Sequence, residues 1–181
     1  MIYQSVISAV VRALAAETIN SAGGCDFDAK VQQARIPGEI SGKEGAFLVD
    51  CMVFGRLHSQ LTSAKWDALV SKYSTHADRK REAVLRMAKA VQSPAGKRFI
   101  ECAVVTWAYP KLPGAEGKRS TSVLPAGWYE MANWDDDGKP ESTLRRWRGG
   151  IRRDLEREVS EALEAAQEIL DIEELICSEA A

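Results

Sequence analysis

Cysteine and histidine are scarce in this chain of 181 residues, which has four of the first and two of the second. The cysteines contain no Cys-x-x-Cys pair, and no paired histidines accompany them. This pattern excludes the usual zinc motifs and argues against a disulfide framework. Cys51 and Cys102 lie in apolar runs, which predicts unreactive thiols in the core. The sequence therefore indicates a reduced, cytoplasmic protein without a bound metal ion.

Long uninterrupted apolar runs are also missing. The most apolar terminal stretch, residues 1–17, contains Arg12 and Glu17 and has no basic segment in front of it. It is therefore neither a secretory signal nor long enough to span a bilayer. We expect no association with a membrane.

Recognisable catalytic motifs are absent as well. His58 and His76 stand alone, and there is no phosphate-binding glycine loop and no serine-histidine-aspartate set. The run Asp135–Asp137 offers carboxylates for Mg²⁺, but consecutive residues of a turn seldom converge on one ion, so a solvated turn is the favoured interpretation. We expect a protein that is not an enzyme and uses no cofactor.

What the sequence does contain is helical periodicity. With 45% hydrophobic residues and six prolines the chain is globular. Apolar residues recur at steps of three and four, and no segment alternates with period two for long enough to require a strand. The fold class predicted is all-α. The predicted helices span residues 2–19, 44–57, 62–73, 78–91, 94–109 and a long C-terminal stretch that continues the helix opened near 140 as far as 176. The second, apolar nearly all round, reads as the central helix.

Charge is distributed unevenly although the formal net charge is only −2. Residues 154–181 hold ten acidic residues and one basic residue, whereas residues 1–153 hold 16 acidic and 23 basic residues, a net charge of +7. A basic body with an acidic tail is compatible with binding to phosphate groups, which the overall charge conceals.

The richest segment is LPAGWYEMANWDDDGKPESTLRRWRGGIRR, residues 124–153. It reads as two helical segments joined by a polar loop, the second opened by Pro140 and carrying five arginines. A short helix, a turn and an arginine-rich helix is the arrangement of a helix-turn-helix DNA reader. A solvated basic face on a core helix explains the pattern about as well. Gly149 and Gly150 indicate either close approach to a partner or a kink between two helices.

The candidate DNA-binding residues fall into three groups. Those of the first helical turns are candidates for base edges, because arginine pairs with guanine through two hydrogen bonds: Ser142, Thr143, Arg145 and Arg146. Those further along are candidates for phosphate contacts: Arg148, Arg152 and Arg153. Lys118 and Arg119 precede this segment in a polar loop, from which they could reach neighbouring backbone, although loop lysines are usually only solvated.

The order of these parts resembles the phage lambda Q class of transcription antitermination proteins. The resemblance is carried by SGKEGAFLVDCMVFGRLHSQLTSAKWDALVSKY (41–73), VVTWAYPKLPG (104–114), LPAGWYEMAN (124–133) and KPESTLRRWRGGIRRDL (139–155), about two-thirds of the chain. That family has a four-cysteine zinc finger between the turn and the helix pair. Residues 115–123, AEGKRSTSV, contain no cysteine, so the metal is not carried over.

The resemblance implies a factor that binds a promoter-associated DNA element and loads onto paused RNA polymerase with its sigma factor. It would then restrict the RNA exit channel, so that terminator hairpins cannot form. Two alternatives stay open: a conventional helix-turn-helix activator or repressor, and a helical phage assembly module whose arginines contact an acidic partner. The apolar stripe of the acidic tail is compatible with self-association.

We expect three parts in the chain. Residues 1–43 would form an N-terminal helix and linker, residues 44–153 a helical body with the helix-turn-helix at 124–153, and residues 154–181 an acidic helical extension.

Overall fold

The computed structural model describes residues 3–21, 42–111 and 123–172, and in these ranges it is helical without a β-strand. The all-α prediction is confirmed. The α-helices are α1 (Val6–Ser21), α2 (Gly42–Gln60), α3 (Ser63–Tyr73), α4 (Ala77–Ala90), α5 (Lys97–Ala108) and α6 (Glu141–Ile172), and two 3-10 helices, η1 (Ala126–Tyr129) and η2 (Met131–Trp134), precede α6. None of the described helices is long and apolar enough to cross a membrane.

Helix α6 is the central element of the fold. It packs against α1, α2, α3, α5 and η2, and its 32 residues correspond to a length of about 48 Å. The face that it buries carries apolar residues at steps of three and four, as the sequence predicts: Ile151, Leu155, Val159, Ala162, Ala166 and Leu170. The helix passes without a break through residues 153 and 154, where the charge changes sign. The three-part division of the chain stays a prediction.

The expectation that the second helix is central is wrong. In α2, Val53 and Leu57 are buried, but Leu48 and Met52 are 48% and 62% exposed. Its apolar composition therefore does not mean that it is surrounded. Cys51 is also exposed, so it is not the core thiol that we expected, whereas Cys102 is partly buried against the core and burial raises the pKa of its thiol. An apolar run indicates how much surface can be buried, and the packing partners decide which side is covered.

Helix boundaries follow local capping signals where these are strong. Thr62 caps α3, because its hydroxyl accepts the backbone N–H of Lys65 at 3.4 Å, as the sequence predicts. Helix α5 begins at Lys97, three residues later than the predicted start at residue 94, and the Ser93 hydroxyl accepts the backbone N–H of Ala95 at 3.3 Å in the turn before it. The predicted end of the last helix near 176 lies outside the described residues.

The segment 124–133 is helical but not the α-helix that a helix-turn-helix requires, so that part of the prediction is wrong. Its backbone hydrogen bonds span three residues, as in a 3-10 helix. The Trp128 N–H is bonded to the Pro125 carbonyl and the Asn133 N–H to the Glu130 carbonyl, both at 3.0 Å. The Asn133 amide donates to the Gly127 carbonyl at 3.0 Å. Such side-chain hydrogen bonds compete with the backbone hydrogen bonds of an α-helix, which span four residues. Here they stabilise the two short 3-10 turns.

Trp134 anchors these turns to the body. Its ring is 2% exposed and meets Phe99 of α5 edge to face, with the centroids 5.4 Å apart. Its indole N–H donates to the Trp128 carbonyl at 2.8 Å, so the polar atom is satisfied inside the fold. The turns are thereby fixed beside the start of α6.

Candidate nucleic-acid interface

One side of the first half of α6 carries most of the predicted DNA-binding residues. Ser142, Arg145, Arg146, Gly149 and Arg153 are all exposed, and their spacing of three, four and seven residues places them on one side of the helix. We call this set the arginine face. It lies opposite the buried apolar stripe, so local periodicity alone determines that it points to solvent.

The arginines of this face differ in their partners. The Arg145 guanidinium contacts the Glu141 carboxylate at 2.7 Å, one turn earlier, with both side chains more than two-thirds exposed. Arg146 and Arg153 make no hydrogen bond or ion pair with any residue in the described part of the chain. Such charges are solvated in the isolated protein and are ready to pair with an anionic partner.

Gly149 lies between these arginines, and Gly150 follows it. The helix continues through both, so the two glycines do not divide it into two helices. A β-carbon added to either glycine would meet no atom within 4 Å. Nothing within the described residues therefore requires a glycine at these two positions, although each costs about 1 kcal/mol of helix propensity relative to alanine.

The first turn of α6 is only partly open to a base edge. Ser142 is exposed, whereas Thr143 is half-buried. The backbone N–H groups of Thr143 and Leu144 bond to the Pro140 carbonyl, at 2.9 and 3.2 Å. Among the candidates for base contacts, Ser142, Arg145 and Arg146 thus share the exposed side, and Thr143 lies at its edge.

Arg148 and Arg152 lie on a different side of the helix from Arg146. They line a cavity of about 520 Å³ together with residues of α3, α5, η1 and the segment after α5. The charged and aromatic residues around it are Lys72, Trp107, Lys111, Tyr129, Arg148 and Arg152. We call this cavity the basic pocket. No acidic side chain is among the described residues that line it.

The carboxylate of Glu156 lies next to the pocket. Glu156 accepts the ammonium of Lys72 at 2.7 Å and the indole N–H of Trp107 at 2.9 Å. Burial raises the pKa of Glu156, but these two hydrogen bonds outweigh that effect and lower the pKa below its ordinary value. Glu156 is therefore ionised at neutral pH and balances one of the neighbouring positive charges.

A further basic side chain, Lys80, lies next to Lys72. The Lys80 ammonium is 5.0 Å from the centre of the Tyr109 ring and donates to the Lys72 carbonyl at 3.4 Å. Burial lowers the pKa of Lys80, and the positive charge of Lys72 lowers it further. Burial, and to a smaller extent the neighbouring Lys72, therefore disfavours the charged form of Lys80.

Sequence reasoning missed four of the six charged and aromatic residues that line this pocket. Lys72, Trp107, Lys111 and Tyr129 come from three separate regions of the chain, and no spacing relates them to Arg148. Only the packing of α3, α5 and η1 around α6 brings them together. The sole signal available in the sequence was that all four residues lie within segments that carry the family resemblance.

The remaining predicted residues belong neither to the arginine face nor to the basic pocket. Lys118 and Arg119 lie outside the described residues. The aspartate run forms a turn, and two of its carboxylates pair with basic side chains. Asp136 pairs with Arg98, and Asp137 lies 3.6 Å from the Lys139 ammonium. Gly138 completes the turn with a φ of +67°. No group of three side chains suited to a metal ion occurs within residues 3–21, 42–111 and 123–172.

Comparison of the chain with protein families, with characterised proteins and with solved structures gives no match.

Proposed function

We propose that the protein binds double-stranded DNA through the arginine face of α6 and acts as a transcription antitermination factor. The observation that carries DNA binding is the pair Arg146 and Arg153, which have no partner among the described residues and flank an open glycine on an exposed helix side. Free positive charge around a site without a β-carbon favours close approach of a phosphate backbone.

The dimensions of the arginine face suit a groove of DNA. From Ser142 to Arg153 the helix rises about 17 Å, while the major groove is about 12 Å wide. The side chains near the start of α6 can therefore reach base edges while Arg153 reaches a phosphate. Because η1 and η2 replace the first α-helix of a helix-turn-helix, we propose docking by α6 with the two short turns beside it.

The antitermination role rests on a different basis, the resemblance of residues 41–73, 104–114, 124–133 and 139–155 to the lambda Q class. The role implies loading onto paused RNA polymerase with its sigma factor and suppression of downstream terminators. A conventional transcriptional regulator would use the same DNA-binding face without leaving the promoter. The two functions differ in one measurable respect, which is whether polymerase reads through a terminator.

DNA binding is tested by removing the two unpaired charges. We expect the double variant Arg146→Gln/Arg153→Gln to bind a cognate duplex more weakly, and the slope of log affinity against log salt to fall by about 2, one for each lost phosphate contact. If Arg146 instead reads a base, its single variant loses about 1–3 kcal/mol on the specific site and much less on random DNA.

The control removes the same charge elsewhere. Lys89 is exposed on α4, and the Lys97 side chain is 88% exposed on α5. The variant Lys89→Gln/Lys97→Gln should leave the salt slope unchanged. An equal loss in both double variants would mean that net charge, and not the arginine face, binds DNA.

Antitermination is tested by transcription with purified components through an intrinsic terminator downstream of the cognate promoter. Increased read-through that disappears with Arg146→Gln/Arg153→Gln supports the proposal. Promoter binding without read-through would instead assign the protein to the conventional regulators, and absence of duplex binding would favour the assembly module.

A further inference from the structure

The basic pocket contains more positive charge than the neighbouring residues neutralise. Lys72, Lys111, Arg148 and Arg152 line it, and Glu156 is bonded to only one of them, Lys72. Clustering cations in this way is unfavourable unless solvent or an anion screens them. An anionic ligand would therefore be bound favourably, because it would reduce the repulsion among these side chains.

The pocket also has aromatic walls whose polar atoms are already satisfied. The Trp107 indole N–H is bonded to Glu156, and the Tyr129 hydroxyl donates to the Tyr109 carbonyl at 2.9 Å. Trp107 is 8% exposed and the Lys72 ammonium lies 4.8 Å from the centre of its ring, whereas Tyr129 is half-buried and offers the larger apolar surface. A planar, uncharged group can pack against Tyr129, as bases do against aromatic side chains in single-strand binding proteins.

Arg148 is held in place before any ligand arrives. Its guanidinium carbon lies 5.5 Å from the centre of the Trp134 ring, which is itself fixed in the core. No hydrogen bond joins this guanidinium to another described residue, so its N–H groups remain available. Arg152 lies one helical turn further on, so the two can contact the same anion.

The size of the cavity limits the class of ligand. About 520 Å³ is within the range of about 300–1,000 Å³ that small-molecule sites occupy, and it is larger than a single phosphate ion requires. A ligand that combines an anionic group with a flat apolar group fits the charge, the walls and the volume together.

We propose that the basic pocket is a nucleotide-binding site, with the phosphate held by Arg148, Arg152 and Lys111 and the base packed against Tyr129, beside Trp107. This site is separate from the arginine face, and it does not depend on the proposed DNA binding. The nucleotide has two sources with the same chemistry, a free mononucleotide and an unpaired nucleotide within a single strand.

The experiment is isothermal titration calorimetry of the full-length protein with three probes: a nucleoside monophosphate, inorganic phosphate and a short single-stranded oligonucleotide. We expect the monophosphate to bind more tightly than inorganic phosphate, because only the former uses the aromatic walls. If only the oligonucleotide binds, and pocket variants abolish its binding, the source is a single strand. If the monophosphate binds as well as the oligonucleotide does, the source is a free nucleotide.

The variants separate the pocket from the rest of the surface. Arg148→Gln and Lys111→Gln should each weaken nucleotide binding by about tenfold or more, since each removes a charged hydrogen-bond donor. Lys111 lies after α5 and is exposed, so its variant tests the site even if Arg148→Gln disturbs the packing on Trp134. The matched control is Lys89→Gln, which removes an exposed lysine of α4 outside both the pocket and the arginine face and should leave nucleotide affinity unchanged.

Three results would overturn this assignment. One is equal binding of inorganic phosphate and the nucleoside monophosphate, which would show that the walls contribute nothing. The second is an equal loss with Lys89→Gln and Lys111→Gln, and the third is no binding of any probe at millimolar concentration. Because duplex binding is measured with Arg146→Gln/Arg153→Gln, failure of either proposal leaves the other open to its own test.

Discussion

Gly149 lies at the centre of the arginine face, in the interior of a long helix where alanine would be more favourable. Its surroundings are open, so its small size serves no packing contact among the described residues. A glycine that weakens its own helix and contacts nothing nearby is consistent with a requirement imposed by an external partner. The physical reason would be close approach of another backbone.

We therefore expect opposite effects of Gly149→Ala on stability and on binding. The free energy of unfolding should rise by about 1 kcal/mol, or about 2–4 °C in melting temperature, while affinity for duplex DNA falls. Thermal denaturation and a DNA-binding titration measure the two effects. The control is Gly55→Ala in α2, another exposed helical glycine whose added β-carbon would meet nothing within 4 Å. It should stabilise the protein without changing DNA affinity, and unchanged binding in Gly149→Ala would contradict the role of that glycine.

Glu156 makes the stability of the protein depend on pH. Its pKa is lowered in the folded protein, so its stabilising contribution is present above the unfolded pKa of about 4.3 and is lost as the pH falls through the lower folded value. We expect Glu156→Gln to be less stable than the parent protein by up to about 1 kcal/mol at pH 7, because the Lys72 pair is 29% and 41% exposed and partly screened.

Urea denaturation at pH 7 and at pH 3 measures this difference, which should shrink at the lower pH. Glu168→Gln is the control, since Glu168 is exposed on the same helix and makes no ion pair or hydrogen bond with a described residue. A difference that stays constant between the two pH values would mean that Glu156 contributes by packing and not by its charge.

At the scale of elements, α3 and α4 are joined by a paired contact that the helix patterns did not indicate. Arg86 binds both carboxylate oxygens of Asp67, through Nε and Nη2, each at 2.8 Å, and Asp67 is buried. The basic residues of α4 therefore do not form one uniform solvated face. Arg86 is committed to α3, while Lys80 packs on Tyr109.

We expect Arg86→Lys to lower the free energy of unfolding by about 1 kcal/mol, because an ammonium cannot reproduce the two parallel hydrogen bonds to a buried carboxylate. Chemical denaturation measures the change. The comparison is Arg98→Lys, whose pair with Asp136 is 60% and 68% exposed and should cost less than about 0.5 kcal/mol. Similar losses in both variants would show that burial of Asp67 does not matter.

The start of α6 shows which features of a helix can be predicted from the sequence and which cannot. Pro140 and the apolar period of Leu144 and Ile151 locate the helix and its buried side without knowledge of any neighbour. The same reasoning produced an α-helix over 124–133, where the structure has two short turns. It could not weigh the bonds from Asn133 and Trp134 to carbonyls six residues earlier, because these bonds depend on how the tryptophan is buried.

For the whole molecule, charge is separated along α6. Residues 141–153 contain five arginines and one acidic residue, whereas residues 154–172 contain seven acidic residues and one arginine. The acidic half begins beside Arg153, but Glu164 lies about 16 Å further along the axis. That distance exceeds the screening length of about 8 Å at physiological ionic strength. The distant acidic residues should therefore scarcely oppose DNA.

We expect Glu164→Gln/Glu168→Gln to change duplex affinity by less than about twofold at physiological salt, with a larger increase at low salt. Glu141→Gln should raise affinity by about threefold, because it releases Arg145 from its 2.7 Å contact within the arginine face. Binding titrations at two salt concentrations test both variants. A strong effect of the distant pair at physiological salt would show that net charge governs binding.

The sequence by itself determined the helical class, the buried stripe of α6 and therefore the outward position of Arg146 and Arg153, because these depend on a period of 3.6 residues within one element. Only the tertiary structure decided that α6 and not α2 is central, and that Arg148 faces Lys72 and Trp107 across a cavity. The physical reason is that burial and pocket formation depend on which helices meet. An amphipathic pattern specifies a face to be covered, but it does not specify the partner that covers it.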